Sequence, residues 1–206
     1  VIRSEGFGGG GTNGPNVTID LLTITSTGNF SLIEDQDQAG TVTNNNTRTG
    51  TYTVASNGRV TLPTGGGKNP PVLYLVNAND AFLVGTGGSA ELGLLEPQSG
   101  SNFSNSSLNN GMYFLGTQDP SGSGVTTDSG TMTITNSTAS FSGTTDSSGT
   151  AGLTHGQGIS GNYSVTANGT GMFGTSGVLI LIAPSKFVFI DESAGNTNPS
   201  VTVVDQ

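Results

Sequence analysis

His155 is the only histidine in the 206 residues, set in Leu153-Thr154-His155-Gly156-Gln157-Gly158. Nucleophilic catalysis needs a positioned base, usually His, beside a Ser or Cys. One histidine in a glycine-flanked loop is a poor basis for that arrangement, and the absence of Cys removes a zinc site built from His and Cys. Glu34-Asp35-Gln36-Asp37 has the oxygen chemistry of a calcium ligand set. It lacks the spacing and glycine of a calcium loop, so it is expected to be a solvated acidic turn, and Asp191-Glu192 is read the same way. Paired carboxylates for glycoside hydrolysis would need an aromatic platform, and the chain has no Trp and only 4 Tyr.

The remaining chemistry-bearing residues also have structural readings. Gly-Phe-Gly-Gly-Gly-Gly at 6–11 is not followed by Lys-Ser/Thr and opens no helix, so it is expected to be a flexible loop and not a phosphate cradle. Several Asn-x-Ser/Thr triplets occur, including those at Asn16, Asn29, Asn102, Asn105, Asn136, Asn162 and Asn168. In a chain this rich in Asn, Ser and Thr they argue glycosylation only weakly. Tyr52 and Tyr163 occupy equivalent places in a repeat, which favours packing in or on a barrel over ligand binding. No catalytic residue, cofactor or metal is expected, and the chain is read as not an enzyme.

The elements that hold these residues announce themselves by repetition. Thr23-Ile24-Thr25 recurs as Thr133-Ile134-Thr135, and Phe30-Ser31 as Phe141-Ser142. Gly50-Thr51-Tyr52-Thr53-Val54 recurs as Gly161-Asn162-Tyr163-Ser164-Val165, and Asn57-Gly58 as Asn168-Gly169. Two apolar hairpins follow in the same order, Val72–Val84 and Val178–Ile190, then Leu94-Leu95-Glu96 and Val203-Val204-Asp205. The offset stays near roughly 110 residues, which marks an internal duplication.

Each copy reads as short strands joined by turns, with no helical periodicity. The expected fold is all-β: two tandem small antiparallel up-and-down β-barrels of about eight strands each. A two-sheet sandwich is the alternative. Residues 1–99 form the first unit, 100–107 a polar linker and 108–206 the second. Asn-Gly suits a type I′ hairpin turn because it tolerates positive φ at both central positions.

With 5 Lys+Arg against 14 Asp+Glu, the net charge is −9, and no basic patch exists to engage nucleic acid. No apolar run is long enough to span a bilayer as a helix. The chain opens at Val1-Ile2-Arg3 without Met, as expected of a chain that has lost a leader or is a segment of something longer. The absence of Cys leaves the cores, or neighbouring units, to supply the stability that disulfides often give small secreted domains.

Copy two enters through Leu108 to Leu115, whereas the equivalent of Leu108 would precede Val1. The first barrel is therefore expected to have a short opening strand and an open seam at Val1, Ile2 and Arg3, where a segment of another subunit could add.

The Gly/Thr-rich strands, the Gly-x-Tyr-x-Val…Asn-Gly turn, the apolar hairpin and the closing Leu95-Glu96-Pro97-Gln98 resemble tandem β-repeat units of bacterial secreted and cell-surface proteins. In outline the meander also resembles the lipocalin and avidin barrels, without their signature residues. The resemblance implies modularity and an extracellular or cell-surface location, and no reaction.

A strand with one wet face should alternate apolar and polar residues. The hairpins do not alternate, so their outer faces are expected to be covered. The candidate assembly interface is Val72, Tyr74, Val76, Phe82 and Val84 in the first copy and Leu179, Leu181, Phe187 and Phe189 in the second. The expected role is a structural subunit that associates with copies of itself into a filament or surface assembly. The alternative is a binding or adhesion module for a small ligand or glycan.

Overall fold

The computed structural model describes residues 1–8, 14–63, 71–86, 90–118 and 126–206. The chain is all-β, with one 3-10 turn at Asn105–Ser107 as the single helical element among the described residues. Among the described residues no helix is long and apolar enough to cross a membrane.

The first copy contributes β1 (Ile2–Gly8), β2 (Gly14–Ile24), β3 (Asn29–Gln38), β4 (Thr41–Thr51), β5 (Thr53–Val54), β6 (Arg59–Thr61), β7 (Val72–Leu75), β8 (Ala81–Val84) and β9 (Ala90–Leu95). The second contributes β10 (Gly111–Gln118), β11 (Thr127–Thr135), β12 (Ser140–Gly149), β13 (Gly152–Val165), β14 (Thr170–Phe173), β15 (Gly177–Ala183), β16 (Lys186–Asp191) and β17 (Val201–Asp205).

Strands β10 to β17 close into an eight-stranded antiparallel barrel in sequence order. The first copy is a curled sheet of nine strands in the order β4-β3-β2-β1-β9-β8-β7-β6-β5. The extra strand has a simple origin. In copy two, β13 is continuous and pairs with β12 along one part and β14 along the other. In copy one the same path divides at Tyr52, so that β4 pairs with β3 and β5 with β6.

The period of two sets what each strand buries. In β2, Leu22 turns inward to a core of Ile2, Phe30, Leu32, Val60, Leu62, Leu73 and Leu83, while Val17, Ile19 and Leu21 turn outward. The second barrel packs Tyr113, Leu115, Met132, Ile134, Phe141, Phe173, Leu179, Leu181 and Phe187 inside. Phe103 of the 100–107 stretch and Leu108 just after it join that core, so the stretch packs against the second barrel. Tyr163 donates from its hydroxyl to Asn105 O at 3.0 Å, tying the 3-10 turn to β13. Tyr113 donates to Asn109 O at 3.1 Å and Pro184 O at 2.9 Å, and burial pushes its pKa up to about 12.

The strands are longer than the apolar pattern indicates. The Thr/Asn stretch at 41–49 is strand, and so is 152–160, which carries His155. Gly6 and Gly8 of the glycine run belong to β1, where Gly6 pairs with Asn16 and Glu91; Gly9, Gly10 and Gly11 lie outside the described residues. A Cβ on Gly6 would lie 2.3 Å from the Ala90 carbonyl oxygen, so glycine is needed for close strand approach there.

Candidate functional site

The two apolar hairpins superpose by register. Tyr74 faces Phe82 across β7–β8, as Ile180 faces Val188 across β15–β16. Val72–Val84 likewise matches Val178–Ile190. In both copies one face of the hairpin lines its own barrel. The outer faces have opposite fates.

In the second copy, Val178, Ile180, Ile182, Val188, Ile190 and Val201 form one buried cluster with Val1, Val17, Ile19 and Leu21 of the first copy. The two barrels are therefore joined by the outer face of the second hairpin lying against β1 and β2, with Ile33 of β3 at its border. Full burial of such side chains contributes about 1.5–3 kcal/mol each. Polar contacts frame the joint. Lys186 pairs with Glu96 at 2.5 Å, and Arg3 pairs with the other oxygen of the same carboxylate. Gln98 Nε2 donates to Leu181 O at 2.7 Å, and Ser99 N to Ile182 O at 2.7 Å.

In the first copy the matching face is bare. Tyr74, Val76, Phe82, Val84 and Leu92 are exposed, from 41% at Val84 to 65% at Leu92. Val72 alone of the expected first-hairpin set is buried.

Three expectations are corrected here. Leu179, Leu181 and Phe187 are interior residues of the second barrel, and Phe189 packs against that core, so none of the four is on an assembly face. The outward residues are their sequence neighbours, because successive strand residues face opposite sides. The seam at Val1, Ile2 and Arg3 is closed: Ile2 pairs with Asp20 on one side and Leu95 on the other, and Arg3 with Ile19 and Leu94. With both edges paired, no backbone is left there for strand addition.

The third correction concerns the acids. Glu34-Asp35-Gln36-Asp37 is not a solvated turn but the middle of β3, with Glu34, Asp35 and Asp37 all buried. Glu34 points into the first barrel, where it accepts from Arg48 and, at 3.1 Å, from Asn46 Nδ2. It shares a polar layer with Ser4, Asn16, Asp20 and Glu91; Ser4 donates to Glu91. Burial, with Glu34 and Glu91 nearby, holds the Asp20 carboxyl well above its usual range. Asn16, being buried in this layer, is no glycosylation acceptor.

Asp35 and Asp37 face the other way, toward the barrel joint. Asp35 accepts from Asn45 N at 2.7 Å and Asp37 from Gly40 N at 2.8 Å, while the second oxygen of each has no partner. Burial pushes Glu192 up to about 8, reinforced by Asp35, Asp37 and Asp191. Among the described residues, no three His, Cys, Asp or Glu side chains are placed to hold a metal ion.

His155 Nδ1 lies 3.4 Å from Asp146 Oδ2 on an exposed hairpin, and no Ser or Thr hydroxyl of the described residues hydrogen-bonds its ring. Asp146 sits below the usual carboxylate range because it accepts from Gly156 N, with His155 as a further cause. Both features are surface hydrogen bonding.

Comparison with known proteins returns nothing. No family model, curated protein or solved structure matches the chain. The candidate site therefore stands on geometry: an uncovered apolar face whose twin, in the same chain, is an interface.

Proposed function

We propose that the chain is a non-enzymatic, extracellular structural subunit that associates with copies of itself through the bare hairpin face of its first barrel. The observation that carries this reading is the pairing of fates. Tyr74, Val76, Phe82, Val84 and Leu92 are exposed, while their counterparts Ile180, Ile182, Val188, Ile190 and Val201 are buried under a neighbouring barrel. A contiguous exposed apolar face of this kind marks an interaction surface.

The contact between copies does not repeat the contact within the chain. The apolar face that covers the second hairpin is already occupied, and its counterpart on the second barrel carries Thr127, Ser129, Thr131 and Thr144, by the match of Asp20–Ile2 pairing to Gly130–Leu115 pairing. On that same outward face β10 adds two exposed apolar residues, Met112 and Phe114, with Phe114 at the place of Val1. Joining two unlike patches on different barrels is a heterologous contact, which propagates when its rotation does not close. This geometry favours a filament. Pairing on both sides of β1 leaves no backbone at Val1, Ile2 and Arg3 for an added strand, so the reading rests on the hairpin face.

Sedimentation and electron microscopy of the concentrated protein test the reading. Polymers that disappear in Phe82→Ser/Leu92→Ser and in Met112→Ser/Phe114→Ser support it. A protein that stays monomeric at high concentration overturns it, and polymers indifferent to both variants overturn the assigned faces.

A further inference from the structure

The two barrels differ inside as well as out, at the end where β10 leads into β11. In the first copy that level of the barrel is filled by Asp20, Glu34, Arg48 and Glu91. Strand pairing places Gly130, Thr145 and Ile159 at the matching positions of the second copy: Gly130 stands between Leu115 and Thr145 as Asp20 stands between Ile2 and Glu34. Ser200, the residue before β17, stands where Glu91 does by the match of Leu95 to Val204. Gly130 admits no side chain, since a Cβ would lie 2.2 Å from the Thr144 carbonyl oxygen. Smaller side chains leave a cleft of about 790 Å³ in the mouth of the second barrel. That volume lies within the span of small-molecule sites, roughly 300–1,000 Å³.

The floor of this cleft also departs from the repeat. Phe141, Phe173 and Phe189 line it, where the first copy has Phe30, Leu62 and Leu83. The rings lie face on face, with centroids 4.0 Å apart for Phe141–Phe173 and 4.6 Å for Phe173–Phe189. Above them stand Asp128 and Asp191, the amides of Asn196 and Asn198, and several hydroxyls. Ser147 donates to Oδ1 of Asp128, and Ser176 and Ser193 donate to Oδ1 of Asp191. These bonds orient both carboxylates and leave their second oxygens open as acceptors.

From an aromatic floor beneath a rim of acceptors and amides, we infer that the mouth of the second barrel is a binding site for a neutral saccharide unit. The apolar C–H face of a pyranose packs on Phe189, the least buried of the three stacked rings, and its hydroxyls donate to Asp128 and Asp191 and accept from the asparagine amides. An acidic sugar is disfavoured by the two rim carboxylates. The described residues of the first barrel, filled at the same level by charged side chains, form no such site.

Titration of the isotope-labelled full chain with methyl β-glucoside, cellobiose, maltose and lactose, followed by amide NMR shifts, tests this. The expected result is saturable shifts at Gly158, Ser200 and Thr202 with at least one neutral sugar, and binding about tenfold weaker for glucuronate. Thr145→Glu/Ser200→Glu, which puts the first copy's acids into the cleft mouth and leaves the core untouched, is expected to abolish those shifts. Phe189→Leu, which restores the first copy's side chain at that place, is expected to weaken binding about tenfold, with the amide spectrum reporting that the barrel stays folded. The inference is overturned if none of the four neutral sugars shifts the cleft amides, if glucuronate binds as well as they do, or if the double variant binds unchanged. Association through the hairpin face is read separately by sedimentation, so either idea can fail alone.

Discussion

Two hairpins of nearly the same composition sit in one chain, one buried against a neighbouring barrel and one open to solvent. The second carries aliphatic residues on its outer face, Ile180, Ile182, Val188 and Ile190, and these meet Val17, Ile19 and Leu21 of the first copy. The first carries Tyr74 and Phe82 at the matching places and stays exposed. The same strand pattern thus becomes core in one setting and surface in the other. What decides is the presence of a complementary face, which β2 supplies in the first copy and which its threonine- and serine-bearing counterpart β11 does not supply in the second. Apolar burial contributes only where a partner surface excludes water from both sides.

The contrast can be broken most sharply at equivalent positions. Ile180→Asp would bury an unpaired charge in the joint and is expected to cost roughly 3–5 kcal/mol. Tyr74→Asp, at the matching exposed position, is expected to change stability by no more than about 0.5 kcal/mol. Urea unfolding of the two variants makes the comparison, and equal losses would mean that the faces do not differ as described. On the opposite side of the joint, Ile19→Ala is expected to cost about 2–4 kcal/mol by loss of transfer energy and creation of a cavity. A denaturant midpoint close to that of the parent would contradict its place in the joint.

The acidic edge of the joint adds a pH dependence. Glu192 is raised from 4.5 to about 8 by burial and by Asp35, Asp37 and Asp191. Its carboxyl holds a proton more tightly in the folded protein than in the unfolded chain. The stabilisation it gives is therefore complete below about pH 4.5 and is lost as pH rises through about 8. Burial raises Asp35 and Asp37 in the same direction. Thermal unfolding across this window should show stability falling with rising pH, and Glu192→Gln should flatten the fall. A slope unchanged in the variant would remove Glu192 as its source. The smallest thermodynamic effect is expected for Phe82→Ser, within about 0.5 kcal/mol. Its consequence should be seen in self-association instead, by sedimentation at matched concentration.

Much of the architecture was legible because duplication writes each element twice. The hairpins and the Tyr52–Tyr163 correspondence emerge from comparing the halves, and so do the turns at Asn57-Gly58 and Asn168-Gly169. These turns are not type I′: only Gly58 and Gly169 take positive φ, and each closes a turn by donating to Ala55 O or Thr166 O. The long polar strands did not, since residues such as Thr43-Asn44-Asn45-Asn46-Thr47 have no apolar alternation to betray β structure. Thr43, Asn46 and Thr47 are strand by pairing with β3, around a bulge at Asn44 and Asn45 where Asn45 takes a φ of 51°. The acids were misplaced for a related reason. A run of Glu34, Asp35 and Asp37 looks solvated on its own, yet strand alternation sends Glu34 into a barrel and its neighbours into a joint formed by residues more than 150 positions away. The cleft of the second barrel left a trace that comparison of copies could have caught: acids and an arginine lost, and two leucines exchanged for phenylalanine, at one level of the repeat.

By itself the sequence determined the repeat, the β class and the surplus of apolar surface on two hairpins, because these follow from local pattern and from counting. It left open which residues of the second hairpin face out, since a period of two fixes alternation and only the pairing register fixes its phase. It also left open which hairpin would be covered. That depended on how one barrel lies against the other, and tertiary packing alone brought β2 of the first copy to β15 and β16 of the second.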